Sequence, residues 1–417
     1  MHIIILLPRV TVVSSFFNGR KLLMDNEPLN FSELAVYAGE EHVNAYNSIT
    51  TPIIQTSTFI FRNSKDIDDY VSGLNKRYEY GRYGNPTQTA AEKKLAALEG
   101  AEDALLFSSG MNAITTTFLA LLRSGDHVVT TDDAYKKTLE FCKTVLPQFG
   151  VETSVVSVHD YDAMEAALRP NTRIFFSESP TNPYLNVMDL ERLAQMVKGK
   201  DIILISDSTF ATPYNQRPLE LGVKLVIHSC TKYLGGHNDL LAGVVLGPAS
   251  FIDKIREFHK TMGGVIGPFT SYMLIRGLKT FALRMQRFNE NGQKIAEYLE
   301  RNPHIRHVYY PGLPCHKYYD LARRTMRGFG AVVTFEVDAD YAGTRAFLDR
   351  LHRLRIGPSF GGVESLITHP ASISYYNCTR EERESLGIKD NLIRFSAGVE
   401  EPESIITDLE QALADVK

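Results

Sequence analysis

Between residues 104 and 246 the chain sets seven short apolar runs in series, at 104–107, 126–131, 151–156, 173–176, 202–205, 225–227 and 242–246, with helical patterns or loops between them. A short continuous apolar run bounded by turn residues reads as a strand covered on both faces. Strands alternating with helices confine a chain to an α/β fold built on one large, mostly parallel sheet. Ligands of such a sheet gather beyond the carboxyl ends of its strands. The residues just past each run are therefore the ones to read for function.

The run at 225–227 leads into Ser229-Cys230-Thr231-Lys232-Tyr233-Leu234-Gly235-Gly236-His237. A lone lysine is ordinarily a solvated surface residue. Lys232, however, stands near a strand end, among hydroxyl residues and before two glycines that permit a tight turn or a close approach. A lysine so placed can form a Schiff base with an aldehyde cofactor, of which pyridoxal 5'-phosphate is the usual one. Asp207 closes the run at 202–205 and is followed by Ser208 and Thr209. A carboxylate ending a buried strand needs a partner, which a salt bridge, a helix cap or a protonated pyridine nitrogen would each provide. After 104–107 come Ser108-Ser109-Gly110-Met111-Asn112 and a helix, an order that aims free N–H groups at an anion. Tyr135 follows the run at 126–131. Two prolines in Glu178-Ser179-Pro180-Thr181-Asn182-Pro183 set the course of a loop that carries the orientable amide of Asn182. Upstream, Asn85 and Pro86 open a helix that Gly100 ends. That capping leaves Tyr80 and Arg82 unexplained; two residues apart in extended chain, they point the same way and can grip a phosphate.

Helical spacing holds from 251 to about 301, and beyond Pro303 the pattern changes to strand (331–337), helix (342–351), strand (391–396) and a closing helix (402–416). This predicts three parts: an extension and arm over 1–78 with one short helix at 31–38, a cofactor-binding domain over 79–274, and a smaller α+β domain over 275–417. The last carries the loop 357–365 and Arg394, a cation on an apolar strand and a natural clamp for a carboxylate. The apolar stretch 1–17 is broken by Pro8 and Arg9 and has no basic region before it. It reads as an extension or a start placed too early rather than a secretory signal. A net charge of −4 gives no reason to expect nucleic acid. The four cysteines lack the spacing of a zinc site or a redox motif, which leaves no metal centre and suggests reduced thiols in the cytoplasm. No apolar run is long enough to span a bilayer. No Gly-x-Gly-x-x-Gly turn follows a first strand, which argues against a dinucleotide-binding protein.

Five stretches together resemble the Cys/Met-metabolism family of pyridoxal phosphate enzymes, which share the aspartate-aminotransferase-like fold. They are Tyr-Gly-Arg-Tyr-Gly-Asn-Pro-Thr at 80–87, Glu-Ser-Pro-Thr-Asn-Pro at 178–183, Thr-Lys-Tyr-Leu-Gly-Gly-His-Asn-Asp at 231–239, Pro-Ser-Phe-Gly-Gly-Val-Glu-Ser at 358–365, and Gly-Ile-Lys-Asp-Asn-Leu-Ile-Arg-Phe-Ser at 387–396. The resemblance runs from about residue 45 and looks most like the plant type of cystathionine gamma-synthase. It implies that Lys232 carries the cofactor, Asp207 partners its ring nitrogen, Tyr135 stacks on its ring, and Asn182 bonds its phenolic oxygen. Gly110, Met111, Ser229 and Thr231, with Thr209 beside them, would hold the cofactor and its phosphate. Tyr80 and Arg82 would reach that phosphate from a neighbouring subunit of a homotetramer with shared sites. Arg394 and Ser359 would take the substrate α-carboxylate. The activity implied is replacement at Cγ of an activated homoserine by cysteine, with gamma-lyase or sulfhydrylase chemistry as alternatives. Two departures bear on substrate: Pro358 stands where many gamma-enzymes carry glutamate, and Ala371–Tyr376 replaces the commoner Met-Thr-His. Lys136 and Lys137, just after Tyr135, are unusual beside an anionic cofactor, and Lys137 is expected to receive an anionic end of the substrate.

Overall fold

The structure, a computed structural model, describes residues 23–24, 27–414 and 416. The expectation for the apolar N-terminal stretch falls on residues 1–22, outside the described residues. All seven apolar runs form strands: β1 (Asp103–Phe107), β2 (His127–Thr131), β3 (Glu152–Val156), β4 (Thr172–Glu178), β5 (Ile203–Asp207), β6 (Leu225–Ser229) and β7 (Gly243–Gly247). They make one sheet in the order β1-β7-β6-β5-β4-β2-β3, in which only β7 runs antiparallel to its neighbours. The carboxyl ends of the other six strands therefore share one edge. Ile174, Phe175 and Phe176 of β4 are fully buried, as a strand covered on both faces requires.

Helix α1 (Phe31–Tyr37) lies where the sequence places it, but the arm holds a second helix, α2 (Ser64–Val71). Its charged sequence hides it from a search for apolar stripes. Local polar bonds start it instead: the Asn63 side chain accepts from the Asp66 N–H, and Asp66 is itself gripped by Arg62 and Arg77. Helix α3 (Pro86–Glu99) is capped by Asn85 and stopped by Gly100 in the left-handed conformation. Buried Lys94 donates from α3 to the carbonyls of Ala35 and Val36 and pairs with Glu40, so the arm is tied down by a cation. Helix α4 (Gly110–Leu121) follows β1, and α5 (Lys136–Glu140) follows Tyr135. The helical region from 251 to 301 is three helices, α6 (Ala249–Met262), α7 (Pro268–Leu278) and α8 (Phe281–Arg301). Gly263, at a φ of 77°, stops the first, and Pro268 opens the second.

A second sheet has five strands: β8 (Ile305–Tyr309), β9 (Val332–Val337), β10 (Arg355–Ile356), β11 (Leu366–Thr368) and β12 (Leu392–Ser396), in the order β8-β9-β12-β11-β10. The sequence pattern marks two of them, β9 and β12; the others are too short or too exposed to show a period. Helix α9 (Pro402–Leu413) closes the chain. One apolar cluster joins the two sheets, from Leu98 and Ala104 through Tyr233 and Phe288 to Phe335 and Phe395. Buried Arg284 donates to the carbonyls of Tyr233 (2.6 Å), Leu234 (3.3 Å) and Gly277 (2.8 Å), which pins the turn after Lys232. Among the described residues no helix is long and apolar enough to cross a membrane.

Helix α7 reaches this turn only because Gly277 lacks a side chain: a Cβ there runs into the Gly235 carbonyl oxygen. Gly277→Ala is expected to destabilise the fold by about 1–3 kcal/mol, the usual cost of overpacking. Gly267→Ala, which meets nothing within 4 Å, serves as the control. Equal thermal midpoints for the two variants would contradict this packing.

Candidate active site

Five sheet strands deliver the candidate residues to one edge. Lys232 leaves β6 through Ser229, Asp207 ends β5, Glu178 ends β4, Tyr135 lies past β2, and α4 begins just after β1. Glu178 and Asp207 are direct neighbours in the sheet register. The second sheet supplies Arg394 on β12 and the loop that carries Ser359.

Lys232 Nζ donates to Ser359 Oγ at 2.9 Å and lies 5.1 Å from the centre of the Phe360 ring. Burial, and secondarily the positive charge of Arg394, bring its ammonium down to about 8. Arg394 is buried; it donates to Asn182 Oδ1 at 3.2 Å and to the carbonyls of Pro358 (2.9 Å) and Ser359 (3.3 Å). Among the described residues it has no carboxylate partner, and burial lowers it to about 10. Lys232, Ser359, Arg394 and Asn182 thus form one connected group drawn from both sheets.

Asp207 Oδ1 accepts both the N–H (2.9 Å) and the hydroxyl (2.6 Å) of Thr209, and that hydroxyl accepts from the Ser229 N–H at 2.8 Å. Thr209 is thereby spent as a bridge from β5 to β6. Glu178, which the sequence reading quoted without a role, accepts the Tyr135 N–H at 2.6 Å. Burial first, and then the charge of Asp207, push Glu178 well above the usual carboxylate range. Asp207 is also raised by burial, but the two Thr209 bonds oppose the rise. Glu178 is therefore the member of the pair that keeps a proton. No spacing in the sequence marks this; it follows only from knowing which strands are neighbours.

Ser109 caps α4 by accepting from the Asn112 N–H, and Gly110 packs against Ser229, whose Cβ a Gly110 side chain would meet at 2.9 Å. Met111 follows in the first turn. Thr231 does not turn its hydroxyl outward, since it exchanges bonds with the N–H and carbonyl of Ala242. Tyr80 and Arg82 make their contacts elsewhere: Arg82 donates to the Lys260 carbonyl at the end of α6 and lies over the rings of Tyr80 and Tyr83. Lys137 is not brought to the group either. Its exposed ammonium pairs with Glu140 on its own helix at 2.7 Å. Lys136 reaches across instead, to the Ser374 carbonyl (3.1 Å), Asn377 (3.3 Å) and the face of Tyr375.

A family model for Cys/Met metabolism PLP-dependent enzymes matches residues 32–414. The chain is 45% identical over 386 residues to cystathionine gamma-synthase 1, chloroplastic, of Nicotiana tabacum, covering 92% of this chain and 72% of that one. It is 40% identical over 396 residues to the L-methionine gamma-lyase of Fusobacterium nucleatum subsp. polymorphum, covering 94% of this chain and all of that one. The crystal structure of metB from Corynebacterium glutamicum matches with a TM-score of 0.87 at 37% identity, over 93% of this chain and 99% of that one. Names of synthases and lyases stand at similar identity, so kinship alone does not select the reaction. The chain belongs to the Cys/Met metabolism family of PLP-dependent enzymes, and pyridoxal phosphate is its cofactor.

Proposed function

We propose that the protein replaces the γ-substituent of an activated homoserine with the sulfur of cysteine, which is cystathionine gamma-synthase chemistry. The observation that carries this reading is the Lys232–Ser359–Arg394 group: a half-buried amine with a lowered pKa beside a buried guanidinium that has no counter-ion among the described residues. The plant synthases at 45% identity accord with this reading.

The residues fit pyridoxal phosphate. The Gly110–Ser229 contact leaves a backbone cradle at the start of α4, suited to a phosphate. Asp207 has both Thr209 bonds on Oδ1, which leaves Oδ2 for a ring nitrogen. Gly110, Met111 and Ser229 would hold the phosphate, Asn182 the phenolic oxygen, and Tyr135 the ring face, while Thr231 would hold the phosphate only after giving up Ala242. Tyr80 and Arg82 would come from a neighbouring subunit. When bound, the cofactor supplies an electron sink for carbon acids.

The chain's own residues do the rest. Arg394, with Ser359, holds the substrate α-carboxylate and so aims its Cα–H at Lys232. The neutral Lys232 amine would take the α-proton, give it up again and so be free to take a second proton from Cβ as the γ-substituent leaves. Cysteine would add at Cγ as its thiolate, the thiol proton departing with the γ-substituent, and Lys232 would return protons to Cβ and then to Cα. Asp207 keeps a proton at the ring nitrogen throughout. Lys137, one residue on from Tyr135's neighbour, would meet an anionic leaving group only after giving up Glu140.

A homotetramer of shared sites accords with the apolar side chains exposed along the arm, among them Val43, Ile49, Ile60, Val71 and Leu74. The four free cysteines suit a reducing compartment such as the cytoplasm.

Lys232→Ala is expected to abolish turnover together with the visible absorbance of the bound cofactor. In the wild type, the base works only when neutral and is a free amine only once substrate is bound, so kcat should rise with pH up to about 8 and level above it. Activity retained in the alanine variant would refute the assignment. A second assay offers O-phospho-, O-acetyl- and O-succinylhomoserine, each with and without cysteine. Cystathionine as the main product supports replacement, whereas ammonia and 2-oxobutanoate at equal rates with or without thiol would make the enzyme a lyase. Light scattering should give a mass near four chains; a monomer with full activity would exclude shared sites.

A further inference from the structure

Arg394 is flanked by two side chains that its own hydrogen bonds do not explain. Strand β12 lies between β9 and β11, and the register places Thr334 of β9 and Thr368 of β11 both directly opposite Arg394. Residues opposite one another in antiparallel strands project from the same face, so threonine, arginine and threonine form a row. Both threonines are buried, at 0% and 1% exposure. Valine would fill such positions equally well and with no polar atom to satisfy. The hydroxyls must therefore be accounted for, and neither bonds to Arg394. Thr334 Oγ1 donates to the Pro183 carbonyl at 2.7 Å, and Thr368 Oγ1 donates to the Gly357 carbonyl.

Those two carbonyls adjoin the partners of Arg394. Pro183 follows Asn182, whose Oδ1 accepts from Arg394. Gly357 precedes Pro358 and Ser359, whose carbonyls also accept from Arg394. Ser359 in turn receives the Lys232 ammonium. Each loop is thus tied twice to a single row of the second sheet, once by a threonine and once by the guanidinium. A guanidinium is a rigid planar fork, and its use as a clamp depends on how its acceptors are spaced around it.

We propose that Thr334 and Thr368 are positioning residues: two clips that set the Asn182 and Ser359 loops against Arg394, and so shape the pocket for the substrate α-carboxylate. The proposal rests on the carboxylate role given to Arg394 above. Without a clip the loop drifts relative to the fork, and binding of the amino-acid carboxylate suffers before the proton transfer at Lys232 does.

The test compares the wild-type holoenzyme with Thr334→Val, Thr368→Val, the two serine variants and Arg394→Lys. Glycine is titrated while the visible absorbance of the cofactor is followed, and KM, kcat and the thermal midpoint are measured alongside. Each valine variant should bind glycine roughly tenfold more weakly, the effect of one neutral hydrogen bond. KM for the homoserine ester should rise by a similar factor, with a smaller change in kcat. The serine variants lose a buried methyl and so fall in thermal midpoint, yet they should bind glycine as the wild type does. Affinity must follow the hydroxyl and not the stability. If both valine variants bind normally while Arg394→Lys is weakened, the clips are overturned and the carboxylate reading stands. Serine variants as weak as the valine ones overturn the clips too. If Arg394→Lys binds glycine normally, the carboxylate reading itself fails and the clips fall with it.

Discussion

A buried guanidinium with no carboxylate partner among the described residues governs the geometry of this protein. Taking a cation out of water is costly unless its hydrogen-bonding capacity is met. Arg394 meets the cost with an amide oxygen and two backbone carbonyls, from loops that belong to different sheets. Dipoles satisfy its N–H groups without cancelling its charge. The same unmatched charge helps to lower the Lys232 ammonium. One electrostatic choice therefore yields both a site that favours an anion and an amine that is closer to neutral.

The large sheet contributes in a different way. Six of its seven strands run in one direction, so residues separated by a hundred positions arrive at a common edge. Crowding follows, because Glu178 and Asp207 end adjacent strands. Two carboxylates so placed cannot both ionise easily, and the bonds from Thr209 decide which one does. Glu178, holding its proton, uses an oxygen to fix the backbone of Tyr135. The strand ends thus sort two acids into different tasks, with the Thr209 bonds on one of them as the main difference.

Much of this was legible in the chain, for local reasons. Asn85, Pro86 and Gly100 declare the ends of α3 because capping is a matter of adjacent residues. Six of the seven apolar runs became strands buried along most of their length, and burial leaves its mark in composition; the seventh, β3, is the half-exposed edge strand. Helix α2 was not legible, since its polar caps and the Arg62–Asp66–Arg77 cluster take the place of an apolar stripe. The strands β8, β10 and β11 were not legible either. They are held by pairing with β9, β12 and each other; β8 is largely exposed, and a period cannot show in the two or three residues of β10 and β11. The part expected of Lys137 was not legible either, since that side chain pairs with Glu140 on its own helix while Lys136 crosses to Tyr375.

The sequence by itself determined the α/β class, the lysine at the end of a strand, the aspartate beside it in kind, and the arginine on an apolar strand. Each of these depends on residue type and near neighbours. Tertiary structure alone decided that Lys232 would meet Ser359, that Asp207 would sit against Glu178, and that Thr334 and Thr368 would flank Arg394. Register and strand order set those meetings, and both are properties of the packed sheets that no stretch of the chain contains.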